Sequence, residues 1–449
     1  MKPLKFIETL VPFSNKGLGK YFTNTAWLLL EKGLRIVEAF FIGLWLARYL
    51  GPDQFGVLSY SQSFVYLFTA IAALGLDQVV VRELVNNSDE RDKLLGTTLG
   101  LRLGGFILML SLIMLTLFLS NNTETLNTVV LIIACSIFFQ SFNGIDFYFQ
   151  SKVLSKYVVY VNIVVISIVG IVKIVLILSD ANLVTIAWVF LAETALTAIG
   201  FLICYLYNKL SIRSWKFSRA TARKLLSKSW FLTIGSLAAA LYMKIDQIMI
   251  KEFIDETAVG LYSAAVKLSS IWLFVTVAIT QTVFPLLVEL RKKDRAAFLQ
   301  KLQLLYDLLI KISVVVAIGY TIFSSFFVVL LFGEPYAEST GILNIYIWSI
   351  VFVFLSNGSW GYYLNEGLEK FSSVRLIIGA VINIGLNIYF IQEFGLLGAA
   401  YATLISYAIS GYLVNFVFKA TRENFYLQSN AFVNFFVLKS WLKPFGWKN

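Results

Sequence analysis

Histidine is absent from all 449 residues. Imidazole metal sites, serine–histidine hydrolysis and histidine relays are therefore excluded, and any proton coupling must use carboxylates. Cysteine occurs twice, at Cys135 and Cys204, each within an apolar stretch, so neither a disulfide framework nor a metal cluster can be built. No metal and no cofactor is expected. Charge is scarce, at 14% of residues against roughly 25% in a soluble domain. Of the six prolines, Pro285 alone falls clearly inside an apolar stretch, where it removes a backbone donor and kinks a helix. The segment from Met1 to Lys20 is basic and broken by Pro3 and Pro12. It lacks an apolar run with a small-residue cleavage site and does not read as a removable signal peptide.

What the chain has in abundance is apolar length, with 58% hydrophobic residues. A membrane span needs ~20 mostly apolar residues. Such stretches fall at about 24–48, 57–76, 97–120, 126–149, 156–178, 183–207, 230–251, 258–288, 302–331, 340–364, 371–392 and 395–418. The expected fold is an all-α integral membrane protein of about twelve transmembrane helices. Alternate loops are basic, and the longest basic connection carries Lys209, Arg213, Lys216, Arg219, Arg223, Lys224 and Lys228. The opposite loops carry Asp53, Glu124, Asp180, Asp255, Glu334, Glu338 and Glu393. Basic loops face the cytoplasm, which places both termini there. The net charge of +11 is explained by this bias, and no nucleic-acid partner is implied.

The long basic connection divides the spans six and six. The expected organisation is an N-terminal lobe over 1–208, a basic amphipathic linker helix over 209–229, a C-terminal lobe over 230–420 and an interfacial tail over 421–449. The tail sets Phe432, Phe435, Phe436, Trp441 and Trp447 beside Lys439, Lys443 and Lys448, a pattern attracted to anionic lipid. Gly56-Val57-Leu58-Ser59-Tyr60 and Gly260-Leu261-Tyr262-Ser263-Ala264 open the second and eighth spans at an offset of 204 residues. Glu83 and Glu289 follow at an offset of 206. The two halves thus read as a parallel internal repeat.

Charges inside spans cost ~2.5–3.5 kcal/mol each at the bilayer centre and mark functional positions by default. The basic ones are Lys32, Arg35, Arg102, Lys173, Lys244, Lys267, Lys311 and Arg375; the acidic ones are Glu31, Glu38, Asp146, Glu193, Asp246 and Asp307. Eight against six implies a mildly cationic cavity suited to an anionic substrate. Glu31, Arg35 and Glu38 share one helix face, at i, i+4 and i+7. Asp307 and Lys311, four residues apart, are expected to neutralise each other. Arg102, Lys173 and Arg375 lie near span ends, from which long side chains snorkel to the interface. Arg35, Lys244 and Lys267 lie deeper and are the favoured substrate contacts, with Lys32, Arg102 and Lys311 as further cationic candidates. Glu193, alone in mid-span, is read as a titrating or gating carboxylate or as an interhelical partner of a basic residue. Glu31, Glu38 and Asp246 are the other gating or ion-coupling candidates.

Four stretches then carry a resemblance: Arg48-Tyr49-Leu50-Gly51-Pro52-Asp53-Gln54-Phe55-Gly56; Gly75-Leu76 with Val81-Arg82-Glu83-Leu84; Leu331-Phe332-Gly333-Glu334-Pro335-Tyr336; and Gly395-Leu396-Leu397-Gly398-Ala399-Ala400-Tyr401-Ala402-Thr403. In this order the chain resembles the bacterial polysaccharide transporter family of the multidrug/oligosaccharidyl-lipid/polysaccharide exporter superfamily. The resemblance implies two six-helix lobes in a V around a central cavity, working by alternating access. It implies a flippase in the bacterial inner membrane. The substrate would be an undecaprenyl-pyrophosphate-linked oligosaccharide, such as an O-antigen unit for lipopolysaccharide, moved to the periplasmic leaflet. Exchange with H+ or Na+ and association with polymerase machinery would accompany it. A drug or cation antiporter of the same superfamily is the alternative. A membrane enzyme of the same glycan pathway is less compatible, because the periplasmic loops are short and no nucleophile–base arrangement stands out.

Overall fold

In a hydrocarbon environment every backbone N–H and C=O must be satisfied within its own segment, which leaves helices as the local solution for apolar stretches of this length. The computed structural model describes residues 16–437, and they are helical with short connections and no strand among the described residues. In chain order the long elements are α1 (Lys16–Ala73), α2 (Leu76–Asn86), α3 (Arg91–Leu119), α4 (Glu124–Gln140), α5 (Gly144–Ser151), α6 (Lys156–Leu178), α7 (Leu183–Tyr207) and α8 (Arg219–Phe253). They continue with α9 (Glu256–Ser270), α10 (Leu273–Lys293), α11 (Arg295–Phe332), α12 (Ser339–Tyr346), α13 (Ser349–Asn365) and α14 (Glu369–Ala408). A π-helical turn, Ile409–Leu413, leads to α15 (Val414–Val417), and α16 (Arg422–Phe436) closes the described chain. Large side chains such as Phe118, Ile322 and Val417 stand exposed on the helices, as lipid-facing residues must.

Among the described residues, ten helical stretches are long and apolar enough to cross a membrane. Two of them, Glu31–Asn86 and Glu369–Val417, run to 56 and 49 residues, and each holds two crossings, which gives the twelve expected. A straight α1 would be about 87 Å long at 1.5 Å per residue, far beyond the ~30 Å hydrocarbon core. It breaks at Gly51 (φ 68°), and α14 breaks at Gly395 (φ 58°), backbone conformations that cost other residues strain. Pro52 follows the first break, where its fixed φ suits a helix start. Beyond the second, Gly398 lies directly against the Phe390 carbonyl, so the chain turns back on itself there.

The resembling stretches are therefore reversal and packing devices. Tyr336 donates to the Ala47 carbonyl at 2.7 Å and packs on Phe55, while Arg48 reaches the Leu330 carbonyl at 3.2 Å. Glu83, buried, is held by Lys224 at 2.7 Å and Lys228 at 2.5 Å. The two matching glycine stretches meet in a reciprocal contact: Gly56 lies against the Glu256 carbonyl and Gly260 against the Pro52 carbonyl. Thr257 donates to Asp53 at 2.7 Å in the same crossing.

The described residues form two compact units, 16–42 with 68–234, and 43–67 with 235–437. Gly43–Leu67 thus packs with the second unit, so the units are not two consecutive halves. The expected linker helix is continuous with the seventh span, because α8 runs unbroken from Arg219 and nothing between 219 and 230 stops a helix. In α16, Asn424 and Gln428 are fully buried against Ser359, with Tyr306 and Asn415 beside them, so this part of the tail is packed into the second unit. Lys439, Trp441, Lys443, Trp447 and Lys448 lie outside the described residues.

Candidate functional site

In the first unit three helices bring five charges together. Glu31, Arg35 and Glu38 come from α1, Lys173 from α6 and Glu193 from α7. Arg35 binds Glu31 through Nε at 3.2 Å and Nη2 at 3.1 Å, and its Nη1 stands 3.7 Å from Glu193 Oε1. Lys173 Nζ bridges Glu38 at 3.0 Å and Glu193 at 3.3 Å, and lies over the Phe190 ring. Asn162 of α6 adds a hydrogen bond to Glu31 at 3.2 Å. The helical spacing of the α1 residues is what aims all three at α6 and α7. Glu193 is thus the link between two cations, the interhelical alternative of the sequence reading. Lys32, one residue off this face, is exposed.

Beside the network lies a cavity of about 260 Å³, lined in part by Arg35, Glu193, Asp146, Asn143, Asn162 and Phe201. Among the described residues Arg35 is its only basic lining residue, against the carboxylates of Glu193 and Asp146. The network itself holds three acids and two bases. The mildly cationic cavity expected from counting charges is not what this unit builds, because Lys173 is committed to Glu38 and Glu193, Lys32 is exposed off this face, and Arg102 is used elsewhere. Arg102 is 4% exposed, bonded to Asp77 and to the Gln140 carbonyl at 2.8 Å, and stacked on Phe147.

The expected snorkelling of Arg102, Lys173 and Arg375 does not occur. All three are buried, at 4%, 7% and 6% exposure, because each finds a partner inside the protein. Arg375, in the second unit, donates to Ser356 Oγ at 2.7 Å and lies over the Tyr363 ring. Asp307 accepts from Gln303 at 2.8 Å and Asn434 at 3.1 Å. Lys311 is half-buried.

The second unit has its own polar centre at Asp246 on α8. This carboxylate is 6% exposed, and no basic group lies within salt-bridge distance of it among the described residues. It accepts instead from Tyr262 at 2.9 Å, Thr403 at 2.7 Å and Asn387 at 2.6 Å, with Asn383 bonded to Asn387 behind it. Lys244, two residues earlier, is half-buried, and its side chain has no hydrogen bond or ion pair among the described residues. Lys267 packs its ammonium against Gly43 and over Phe55 at 5.8 Å.

Sequence reasoning missed the roles of Lys173, Asn162, Asn383 and Asn387. The amides carried a signal, since polar residues amid apolar spans seek interhelical partners. Asn383 and Asn387 stand four apart on one face.

Two helical units with buried polar networks within their spans define a multi-pass helical membrane fold. Solved structures agree. The lipid II flippase MurJ in an inward closed conformation gives a TM-score of 0.68 at 17% identity, covering 93% of this chain and 92% of that one. An inward-facing multidrug resistance MATE family transporter of the MOP superfamily gives 0.68 at 14%, covering 87% and 96%. Residues 22–291 match the family described as polysaccharide biosynthesis protein, and the chain belongs to that family. Among curated relatives, a probable low-salt glycan biosynthesis flippase, Agl15 of Haloferax volcanii, is 27% identical over 45% of this chain and 43% of its own length. A probable flippase of the same organism, AglR, is 26% identical over 44% and 42%. The matched region is thus less than half of these relatives.

Proposed function

We propose that this chain is a flippase for a lipid-linked oligosaccharide. Family membership supports a glycan role, and two relatives bear flippase names. The observation that carries the reading is Arg35, whose side chain keeps 45% exposure beside a polar cavity within the spans. A guanidinium is suited to phosphate oxygens in paired bonds, and a saccharide needs a polar path because its hydroxyls pay heavily in hydrocarbon. A phosphate entering here competes with Glu31 for the same guanidinium, so it can be bound and released by partner exchange.

In this reading the substrate is an undecaprenyl-pyrophosphate-linked unit of a surface polysaccharide such as O-antigen. It moves from the cytoplasmic to the periplasmic leaflet of a bacterial inner membrane by alternating access, with both termini cytoplasmic. Lys244 is the candidate contact on the second unit. Asp246 is the candidate for coupling to H+ or Na+. The acid excess around the cavity favours a second reading, a cation exporter. Proteoliposomes holding the full chain separate the two. The flippase accelerates leaflet exchange of a fluorescent lipid-linked oligosaccharide, and Arg35→Ala lowers that rate at least tenfold with insertion intact. Export of an organic cation without glycan exchange overturns the reading.

A further inference from the structure

The cavity of the first unit has more hydrogen-bonding capacity than a phosphate contact requires. Asn143, at the junction of α4 and α5, lines it, and its side chain makes no hydrogen bond among the described residues. Asp146, on the first turn of α5, accepts from Gln150 through Oδ2 at 2.9 Å, which leaves Oδ1 uncommitted. Thr197 donates to the Glu193 carbonyl at 2.8 Å and so presents its lone pairs. Phe139 and Phe201 add aromatic surface from α4 and α7.

We infer that this cavity holds one sugar residue of the translocated glycan, the residue adjoining the phosphate that Arg35 contacts. The inference rests on the flippase reading above. The chemistry is specific to carbohydrate. Adjacent hydroxyls pair with a planar carboxamide or carboxylate, which takes or gives two bonds at once. The C–H face of a pyranose is apolar and suits an aromatic neighbour. An isoprenoid tail would leave these polar groups unpaired, at a cost for each. The volume of about 260 Å³ is just below the ~300–1,000 Å³ of pockets for drug-sized ligands, room for a single ring and not for a repeat unit. Because Arg35 lines the same small space, the ring it holds is the one joined to the phosphate. Asn143 and Asp146 are then specificity determinants for that sugar.

The test measures binding to the purified full chain of geranyl diphosphate and of the same lipid bearing a single glucose, galactose or N-acetylglucosamine. Wild type is expected to bind at least one glycosylated probe about tenfold tighter than the bare diphosphate, as about two net hydrogen bonds would give. Asn143→Ala and Asp146→Asn should each reduce that preference about fivefold; Asn143→Ala leaves affinity for bare geranyl diphosphate near the wild-type value, and Asp146→Asn raises it, because a carboxylate is removed from beside the anion. Asp146→Asn keeps the side-chain shape and an oxygen for Gln150, so it separates lost recognition from lost folding. Arg35→Gln should weaken both kinds of probe alike. Absence of any sugar preference in wild type, or equal losses for bare and glycosylated probes in both variants, overturns the subsite and leaves the flippase reading standing. If wild type binds no probe of either kind, both fall together.

Discussion

Lys173→Met removes one charge and keeps most of the aliphatic stem. The ammonium it deletes lies 3.0 Å from Glu38 and 3.3 Å from Glu193, with the three side chains 8%, 15% and 21% exposed. Removing one partner of a buried ion pair costs about 3–5 kcal/mol, because the other charge is left desolvated and unpaired. Arg35 stands 3.7 Å from Glu193 and offsets part of this, which favours the lower end, about 3 kcal/mol. At ~2–4 °C per kcal/mol for a body of 150–250 residues, the unfolding midpoint should fall by about 6–12 °C. The assay is thermal unfolding of the purified chain in detergent, followed by tryptophan fluorescence. A companion variant, Lys173→Met with Glu38→Gln and Glu193→Gln, removes the stranded carboxylates and should recover most of the loss, since neutralising a whole buried network is often costless. A fall below about 2 °C for the single variant would refute the reasoning and return Lys173 to the interface as a snorkelling residue. No recovery in the triple variant would refute it equally, by showing that the lysine acts through packing.

Asp246→Asn keeps the shape of a buried side chain but turns one of its two acceptor oxygens into a donor NH2, so at least one of the three converging donors loses its acceptor and stability should fall by about 1–3 kcal/mol. Transport in proteoliposomes should lose its response to an imposed proton or sodium gradient; an unchanged response removes Asp246 from coupling. Gly260→Leu drives a side chain into the Pro52 carbonyl at the reciprocal helix crossing and should destabilise by about 1–3 kcal/mol. Gly319→Leu in α11, where nothing lies within 4 Å, is the control. Equal melting of the two variants would show that the crossing is not closely packed.

Much of the fold was legible because the bilayer makes each span a local problem. Its backbone bonds close within the segment, so length and apolarity locate a helix without knowledge of its neighbours. Gly51 and Gly395 fell inside the resembling stretches, and both prove to be chain reversals, where backbone conformation and residue type coincide. The helix-face argument for Glu31, Arg35 and Glu38 also held, since it depends only on the 3.6-residue period. The expectations that failed concerned partners. Arg102, Lys173 and Arg375 sit near span ends by position, and position alone suggested water.

The sequence by itself therefore determined the twelve crossings, the placement of the reversals and the shared face of α1, all set by interactions within a few residues of chain. Only the tertiary structure decided which charges meet. Lys173 finds Glu38 on a helix 135 residues away, and Asp246 takes its donors from α9 and from both halves of α14. Those outcomes depend on how each helix is rotated and which neighbours it packs against. The same rotation sets two carboxylates, Glu193 and Asp146, around the cavity of the first unit, with Arg35 as the single cation on its wall among the described residues.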